Sequence, residues 1–477
     1  MKRFFTIFTA LCFSALGANL QAKDKPNILF ILADDMGYGD LGCYGSTQVK
    51  TPNLDALAAK GVRFTDAYVS ASVCAPSRAG ILTGRYQERF GFEHNLSSPS
   101  HVKPERVGIP LDETLMSDRL KKLGYRTGVI GKWHVGEHLD EHHPNARGFD
   151  FFFGMLGGGH TYWPTVEKNK LLRNKERIKE VRTPYLTDWF SREAEDYIER
   201  NKDKPWFLYL SYNTPHTPMQ AKKEDLEAYA HITPKRRQTY CAMQKCMDDN
   251  IGLMIKKLKA TGQYENTLIV FMSDNGGSVT ASSAINAPLN GMKGTFLEGG
   301  LRSPMIMHWP KGLKSSTYKK PVISLDLTPT FVHLAGGKIE PETIGKGKKA
   351  YLRIHDGVNL IPHLTDPAMK DKAPHKALFW RMALRGSAVR VGDWKLIQTP
   401  HHATMLFNLA NDQSEQKNLA NEMPEKVTEL TQQYADWAES LKANPFWISG
   451  NFWSKYNRKL YDIEYELTQP KGNSTKY

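Results

Sequence analysis

The run Asn27-Ile28-Leu29-Phe30-Ile31-Leu32-Ala33 and the segment 266–273 are apolar almost without interruption. Each stops at oxygen-bearing side chains, Asp34-Asp35 and Asp274-Asn275. Apolar residues at every position, rather than at alternate ones, suit a parallel strand covered on both faces. Segments 125–130, 205–212 and 305–309 read the same way. Helix patterns lie between them: 51–61 has Pro52 at its start and Gly61 at its end, and 113–123, 185–200 and 240–257 follow. Strands interleaved with helices specify an α/β fold, which takes its ligands outside the carboxyl ends of its strands.

An aspartate at a strand end is ordinarily a turn residue or a helix cap. Two strand ends that both carry oxygen ligands favour a metal site instead. Asp and Asn oxygens without paired His or Cys favour a hard cation such as Ca²⁺ over Zn²⁺. A second constellation is Cys74-Ala75-Pro76-Ser77-Arg78. Its proline suits the first turn of a helix, where the missing N–H costs nothing. Cys74 then lies at a helix N-terminus, which favours an anion, and Arg78, four residues on, shares its face. The plain alternative is a small buried cysteine before an ordinary helix.

The wider run Cys74–Arg85 resembles the signature of the type I sulfatases of the alkaline phosphatase superfamily. So do Gly131-Lys132-Trp133-His134-Val135-Gly136, Pro215-His216-Thr217-Pro218, and Lys293-Gly294-Thr295 followed by Glu298-Gly299-Gly300-Leu301-Arg302. The resemblance extends from about Lys25 to about Leu441. It implies a doubly wound, alkaline-phosphatase-like sheet flanked by helices, with a smaller C-terminal domain. It also implies that a separate formylglycine-generating enzyme oxidises Cys74 to formylglycine (3-oxoalanine), whose hydrate is the nucleophile. By the same resemblance Asp34, Asp35, Asp274, Asn275 and the modified Cys74 match a calcium site. Arg78 and Lys132 match residues that hold the hydrate and the metal end, and Lys293 matches the sulfate-binding lysine, with Lys132 close to it. His216 matches a histidine near the ester oxygen, and His134 one that takes a proton from the second hydrate hydroxyl. Asp274 is a second candidate base.

The 477 residues suit one large α/β domain and a smaller one. Short strand-like pieces from 377 to 408 suggest a small antiparallel sheet, and 424–442 reads as a helix. The expected divisions are a signal peptide over 1–22, a catalytic domain over 23–373, and a C-terminal α+β subdomain with its tail over 374–477. Lys2 and Arg3, an apolar stretch too short to span a bilayer, and a small residue at Ala22 mark the signal. The expected location is therefore secreted or periplasmic, and no later segment approaches membrane-spanning length. Cys12 falls in the signal, and Cys74 is expected to be unpaired. A net charge of +14 attracts polyanions. Export argues against nucleic acid, no nucleic-acid module is recognisable, and a sulfated carbohydrate fits both facts. His94, Asn95, His160, Tyr162 and Trp163 are candidate sugar contacts, and the basic insertion 168–182 is a loop or hairpin. The expected substrate is a sulfated galactan such as carrageenan, or a galactosamine-containing glycosaminoglycan. The rivals are a phosphodiesterase or phosphonate monoester hydrolase of the same superfamily, and a non-catalytic carbohydrate-binding protein.

Overall fold

The structure, a computed structural model, describes residues 25–96, 107–344, 351–442, 444–448 and 458–461. The expected signal peptide and most of the polar tail lie outside them. Asn27–Ala33 sits inside a ten-stranded sheet, between Trp206–Ser211 and Thr267–Ser273. Arg126–Lys132 and Phe151–Met155 extend the sheet on the Trp206–Ser211 side, and these five strands are mutually parallel. Met305–His308 then pairs antiparallel with Thr267–Ser273.

The uninterrupted apolar run has a direct cause. Ile28, Phe30 and Leu32 point into one core, with Ala75, Ala79, Met116, Leu120 and Phe331 from the helices Cys74–Thr83, Met116–Lys122 and Leu327–Leu334. Leu29, Ile31 and Ala33 point into the other, against Trp189, Phe190, Met247 and Ile251 from Leu186–Arg200 and Lys235–Ala260. Each such aliphatic side chain contributes about 1.5–3 kcal/mol when fully buried, and a polar residue anywhere in the run would forfeit that on one face.

Several boundaries differ from the expectation. The strand expected over 125–130 runs on to Lys132. Gly131 allows this: its φ is 110°, and a Cβ there would meet Ser211 O at 1.9 Å. The helix expected from 113 starts at Met116, because the Asp118 carboxylate accepts the Leu115 N–H at 3.0 Å. Phe151–Met155, outside the expected strands, is a sheet strand. The basic insertion forms a hairpin, Leu172–Arg173 with Glu176–Arg177, at the sheet edge.

The C-terminal sheet has four antiparallel strands in chain order: Ala377–Met382, Gly386–Val391, Trp394–Gln398 and Met405–Asn408. Trp380 and Ile397 pack on Tyr68 and Leu301 of the large sheet's body, while Leu396 and Leu406 lie under Leu430 of the helix Pro424–Ala438. A fully buried ion cluster joins the two parts, with Lys395 Nζ at 2.8 Å from both Glu298 Oε1 and Glu415 Oε1. Burial, against the pull of Lys395, pushes the Glu415 carboxyl up to about 7. Lys395→Met should cost about 3–5 kcal/mol, the usual result of removing one partner from a buried ion pair. A carboxyl whose folded pKa is raised binds its proton more tightly in the native state, so stability falls as pH rises from the ordinary glutamate range through about 7. The melting-temperature deficit of Lys395→Met should therefore be larger at pH 8 than at pH 5. Equal deficits would show that Glu415 does not carry the charge.

Candidate active site

The carboxyl ends of the parallel strands bring the polar clusters together. Asp34 and Asp35 follow Asn27–Ala33, Asp274 and Asn275 follow Thr267–Ser273, and Lys132 ends its strand. The helix Cys74–Thr83 begins at Cys74 itself, so Cys74 and Arg78 face the same place. Ligand atoms of Asp34, Asp35, Cys74 and His216 all lie within 4.8 Å of one another.

Cations surround this cluster. Lys132 Nζ is 2.7 Å from Asp34 Oδ2. Lys293 Nζ is 2.7 Å from Asp35 Oδ2 and 3.2 Å from Cys74 Sγ. Arg78 is fully buried and pairs with Asp274 Oδ2 at 2.8 Å through Nη2 and 2.9 Å through Nε. Its Nη1 donates to Ser211 Oγ, and Ser211 in turn donates to Lys132 O at 2.7 Å. One guanidinium thus ties the Cys74 helix to the ends of three strands.

Burial opposes the charge on Asp34, but Lys132, His216 and Arg78 outweigh it and hold the carboxyl far below the usual carboxylate range. Asp274 goes the other way, up to about 6, because burial and the neighbouring Asp34 charge exceed the pull of Arg78. Burial pushes the Cys74 thiol up and the His134 ring well down, the latter helped by Lys132 and Arg78. A thiol held in its protonated form is a poor nucleophile. Asp35 (φ 63°) and His134 (φ 59°) both occupy the left-handed region. That conformation is costly for residues with a Cβ and is found where surroundings impose it, often at functional sites.

The donor set suits a hard cation. Asp34 and Asp35 supply buried carboxylate oxygens, and Asn275, whose Nδ2 donates to Asp35 Oδ1 at 2.7 Å, has a buried Oδ1 with no hydrogen-bond partner. A buried acceptor without a partner costs free energy, and a cation held by the adjacent carboxylates would satisfy it. These residues and Cys74 could hold a metal ion.

His216 stands at the rim, its side chain 22% exposed, with Nε2 3.6 Å from Asp35 Oδ2. The flanking prolines Pro215 and Pro218 do not keep the segment extended. Instead, Asn213 O accepts the His216 N–H at 2.9 Å and forms a turn. The expected sugar contacts are distributed differently. His94 is fully buried. His160 has Nδ1 2.8 Å from Thr161 O, and its Nε2 accepts the Lys170 N–H at 3.0 Å. A sugar contact through either ring would need this packing to open. Tyr162 is fully buried and donates to Asn213 O and His216 O, so it holds the His216 turn. Trp163 remains 40% exposed against Tyr185. Neither Ser211 nor Tyr162 is legible as a support from the sequence, since a serine inside an apolar strand and one aromatic among many carry no local pattern.

The family model for sulfatase matches residues 26–337. The chain belongs to the sulfatase family. Members of that family are sulfuric ester hydrolases. Mouse (Mus musculus) arylsulfatase J is 35% identical over 399 residues, 80% of this chain and 65% of that protein, so the chain spans just under two thirds of that relative's length. Human (Homo sapiens) N-acetylgalactosamine-6-sulfatase is 33% identical over 396 residues, 75% of this chain and 72% of that protein. A crystal structure described as Ps i-CgsB in complex with k-i-k-neocarrahexaose superimposes with a TM-score of 0.80 at 37% identity, covering 92% of this chain and 98% of the other. The large mixed sheet with a small antiparallel C-terminal sheet is accordingly the alkaline-phosphatase-like architecture.

Proposed function

We propose that this sulfatase hydrolyses sulfate esters of a carbohydrate, with formylglycine derived from Cys74 and a calcium ion as its working groups. The observation that carries the reading is the cationic cage closed on Cys74: Lys293 touches both Asp35 and the Cys74 sulfur, while Lys132 and Arg78 meet on Asp34. Buried cations fixed before substrate arrives stabilise the charge of a transferring sulfuryl group without reorganisation. The division into an exported leader, a catalytic part to about 373 and a C-terminal subdomain belongs to the same reading. Among the described residues no helix is long and apolar enough to cross a membrane. The maturation enzyme is the implied protein partner.

Asp34, Asp35, Asp274, Asn275 and residue 74 would hold the calcium. The ion would supply Lewis-acid polarisation of a sulfate oxygen, and formylglycine would supply a hydrated aldehyde hydroxyl as nucleophile. The remaining work belongs to the chain's own side chains. Lys132 and Lys293 bind sulfate oxygens. Arg78 keeps the Cys74 helix in register with Asp274. The Asp274 carboxyl, raised to about 6, suits a base. Backbone at Leu156 fixes His134, whose N–H donates to Leu156 O at 2.9 Å, so its ring is placed to take a proton late in the cycle. His216 Nδ1 lies 2.7 Å from Thr217 O, so the proton available for a leaving alcohol is the one on Nε2 of the protonated ring.

Support for a galactan or galactosamine-containing substrate comes from the bound k-i-k-neocarrahexaose in the similar structure and the named substrate of N-acetylgalactosamine-6-sulfatase. The test is release of inorganic sulfate from a panel of sulfated galactan and glycosaminoglycan oligosaccharides, run beside phosphodiesters and phosphonate monoesters. Faster phosphodiester turnover would replace this reading with that of the superfamily rival.

His216 carries its own test. A sugar alkoxide needs a proton in the transition state, whereas nitrophenolate departs without one. His216→Ala should lower sulfated-sugar turnover by about 10²–10⁴-fold and nitrophenyl sulfate turnover far less. Equal losses on both esters would reduce His216 to a positioning role.

A further inference from the structure

Asp274 and Asn275 are followed by Gly276-Gly277, which bring no side chain of their own to hold the loop. Consecutive glycines have the most backbone freedom to lose on folding. Close packing requires them here: a Cβ on Gly277 would meet Ala284 Cβ at 2.5 Å and Gly37 Cα at 2.8 Å. The Gly277 carbonyl accepts the N–H of Lys293 at 3.2 Å. The next N–H, that of Gly294, donates to the carbonyl of Ser72 at 2.8 Å, two residues before Cys74. The backbone at Lys293 is thus suspended between the loop after Thr267–Ser273 and the approach to the Cys74 helix.

One buried side chain fixes that loop. Asn286 Oδ1 accepts the Gly277 N–H at 2.9 Å, and its Nδ2 donates to Gly277 O and to Gly291 O, each at 3.0 Å. The amide grips both polar groups of Gly277 and ties them to the segment that leads into Lys293. A carboxylate of the same size could keep the first bond, but it has no N–H for the two carbonyls and would face them with like partial charge. The neighbouring residue is anchored from the other side. Ile285 donates its N–H to the buried carboxylate of Asp40 at 2.9 Å and accepts the Gly39 N–H at 3.0 Å. Asp274 and Asn275 have separate supports: the Asp274 N–H donates to Ala33 O at 3.0 Å, Ser273 Oγ donates to Asn275 O at 2.9 Å, and the Gly276 N–H donates to Gly300 O at 3.1 Å. Loss of the Asn286 amide therefore falls on Lys293 rather than on the candidate metal ligands.

We propose that Asn286 is a positioning residue of the sulfate-binding site, which holds the Lys293 backbone where the ammonium can meet Asp35 Oδ2 at 2.7 Å and the Cys74 sulfur at 3.2 Å. It acts through Lys293, and its own bonds go to backbone. The inference rests on the reading of Lys293 as a sulfate ligand. A displacement of about 1 Å in a group that orients the reacting centre can cost about 10²-fold in rate, which sets the scale of the expected effect.

A double-mutant cycle separates positioning from plain stability. The substrate is the oligosaccharide of the panel above that releases sulfate fastest, and rates are normalised to the formylglycine content found by mass spectrometry. Asn286→Asp should lower kcat/KM by about 10- to 100-fold in the wild-type background. In the Lys293→Ala background the same change should cost less than about threefold, because no ammonium is left to misplace. Asn286→Ala, which adds no charge, goes through the same cycle in case the carboxylate prevents folding. Leu430→Ala, under the C-terminal sheet, is the stability control: it should lower the melting temperature and leave kcat/KM unchanged below the transition. No loss in the wild-type background, equal losses in both backgrounds, or a comparable loss in Leu430→Ala would each overturn the assignment. Wild-type turnover by Lys293→Ala alone would instead overturn the sulfate-binding reading of Lys293, and the inference with it.

Discussion

Cys74→Ala should abolish sulfate release, with a loss on the order of 10⁶-fold, the scale seen when an essential nucleophile is removed. The side chain sits where no neighbour can replace it: its sulfur is 3.2 Å from Lys293 Nζ, 3.6 Å from Asp34 Oδ1 and 3.7 Å from Asp35 Oδ1. Neither carboxylate can take over, because both are engaged by lysines. The fold should survive, since the cysteine is small and Ala75, Ala79, Ile81 and Leu82 supply the helix's core contacts. Cys74→Ser should be nearly as inactive unless the host modifies serine. Peptide mass spectrometry of active wild-type protein, made with a maturation enzyme present, should show residue 74 as the aldehyde or its hydrate. Active protein containing only unmodified cysteine would refute the formylglycine assignment.

The second large effect concerns the metal. Asp34→Ala should lower turnover by at least about 10²-fold, the scale for losing a preorganised electrostatic contact. It should also remove the calcium dependence of the melting temperature. A ligand that binds only the native state stabilises it by about 2.7 kcal/mol at one hundred times its Kd, so wild-type protein should melt higher in calcium than in chelator. Asp34→Ala should show no such difference. The variant also leaves Lys132 and Arg78 facing each other across a buried site, so its chelator-treated melting temperature should fall below that of the wild type. Wild-type melting that ignores calcium, or elemental analysis finding stoichiometric zinc and no calcium, would overturn the assignment.

Much of the strand framework and the main polar cluster could be read from the chain, for a local reason. A strand covered on both faces must be apolar at every position, so Asn27–Ala33 and Thr267–Ser273 announce themselves, and their ends locate Asp34, Asp35, Asp274 and Asn275. The Cys74–Arg78 spacing likewise carries its own geometry, because one helical turn places both on one face. The roles attached to Lys132, His134, His216 and Lys293 rest on resemblance, since a lysine or histidine at a strand end or in a loop has no spacing that distinguishes catalysis from solvation.

Contacts between distant segments were decided only in three dimensions. Ser211 matters because Arg78 and the Lys132 carbonyl meet on it, and nothing in Trp-Phe-Leu-Tyr-Leu-Ser marks its last residue for that task. Tyr162 and His94 read as candidate sugar contacts, yet packing against Tyr185 and the Ala383–Arg385 turn buries them. Lys395, Glu298 and Glu415 lie far apart in the chain and become one ion cluster only when the small sheet docks. Sequence determined the elements because side-chain periodicity is a property of neighbours. Tertiary structure decided which polar groups share an environment, because burial and charge pairing depend on what the fold brings across the gap.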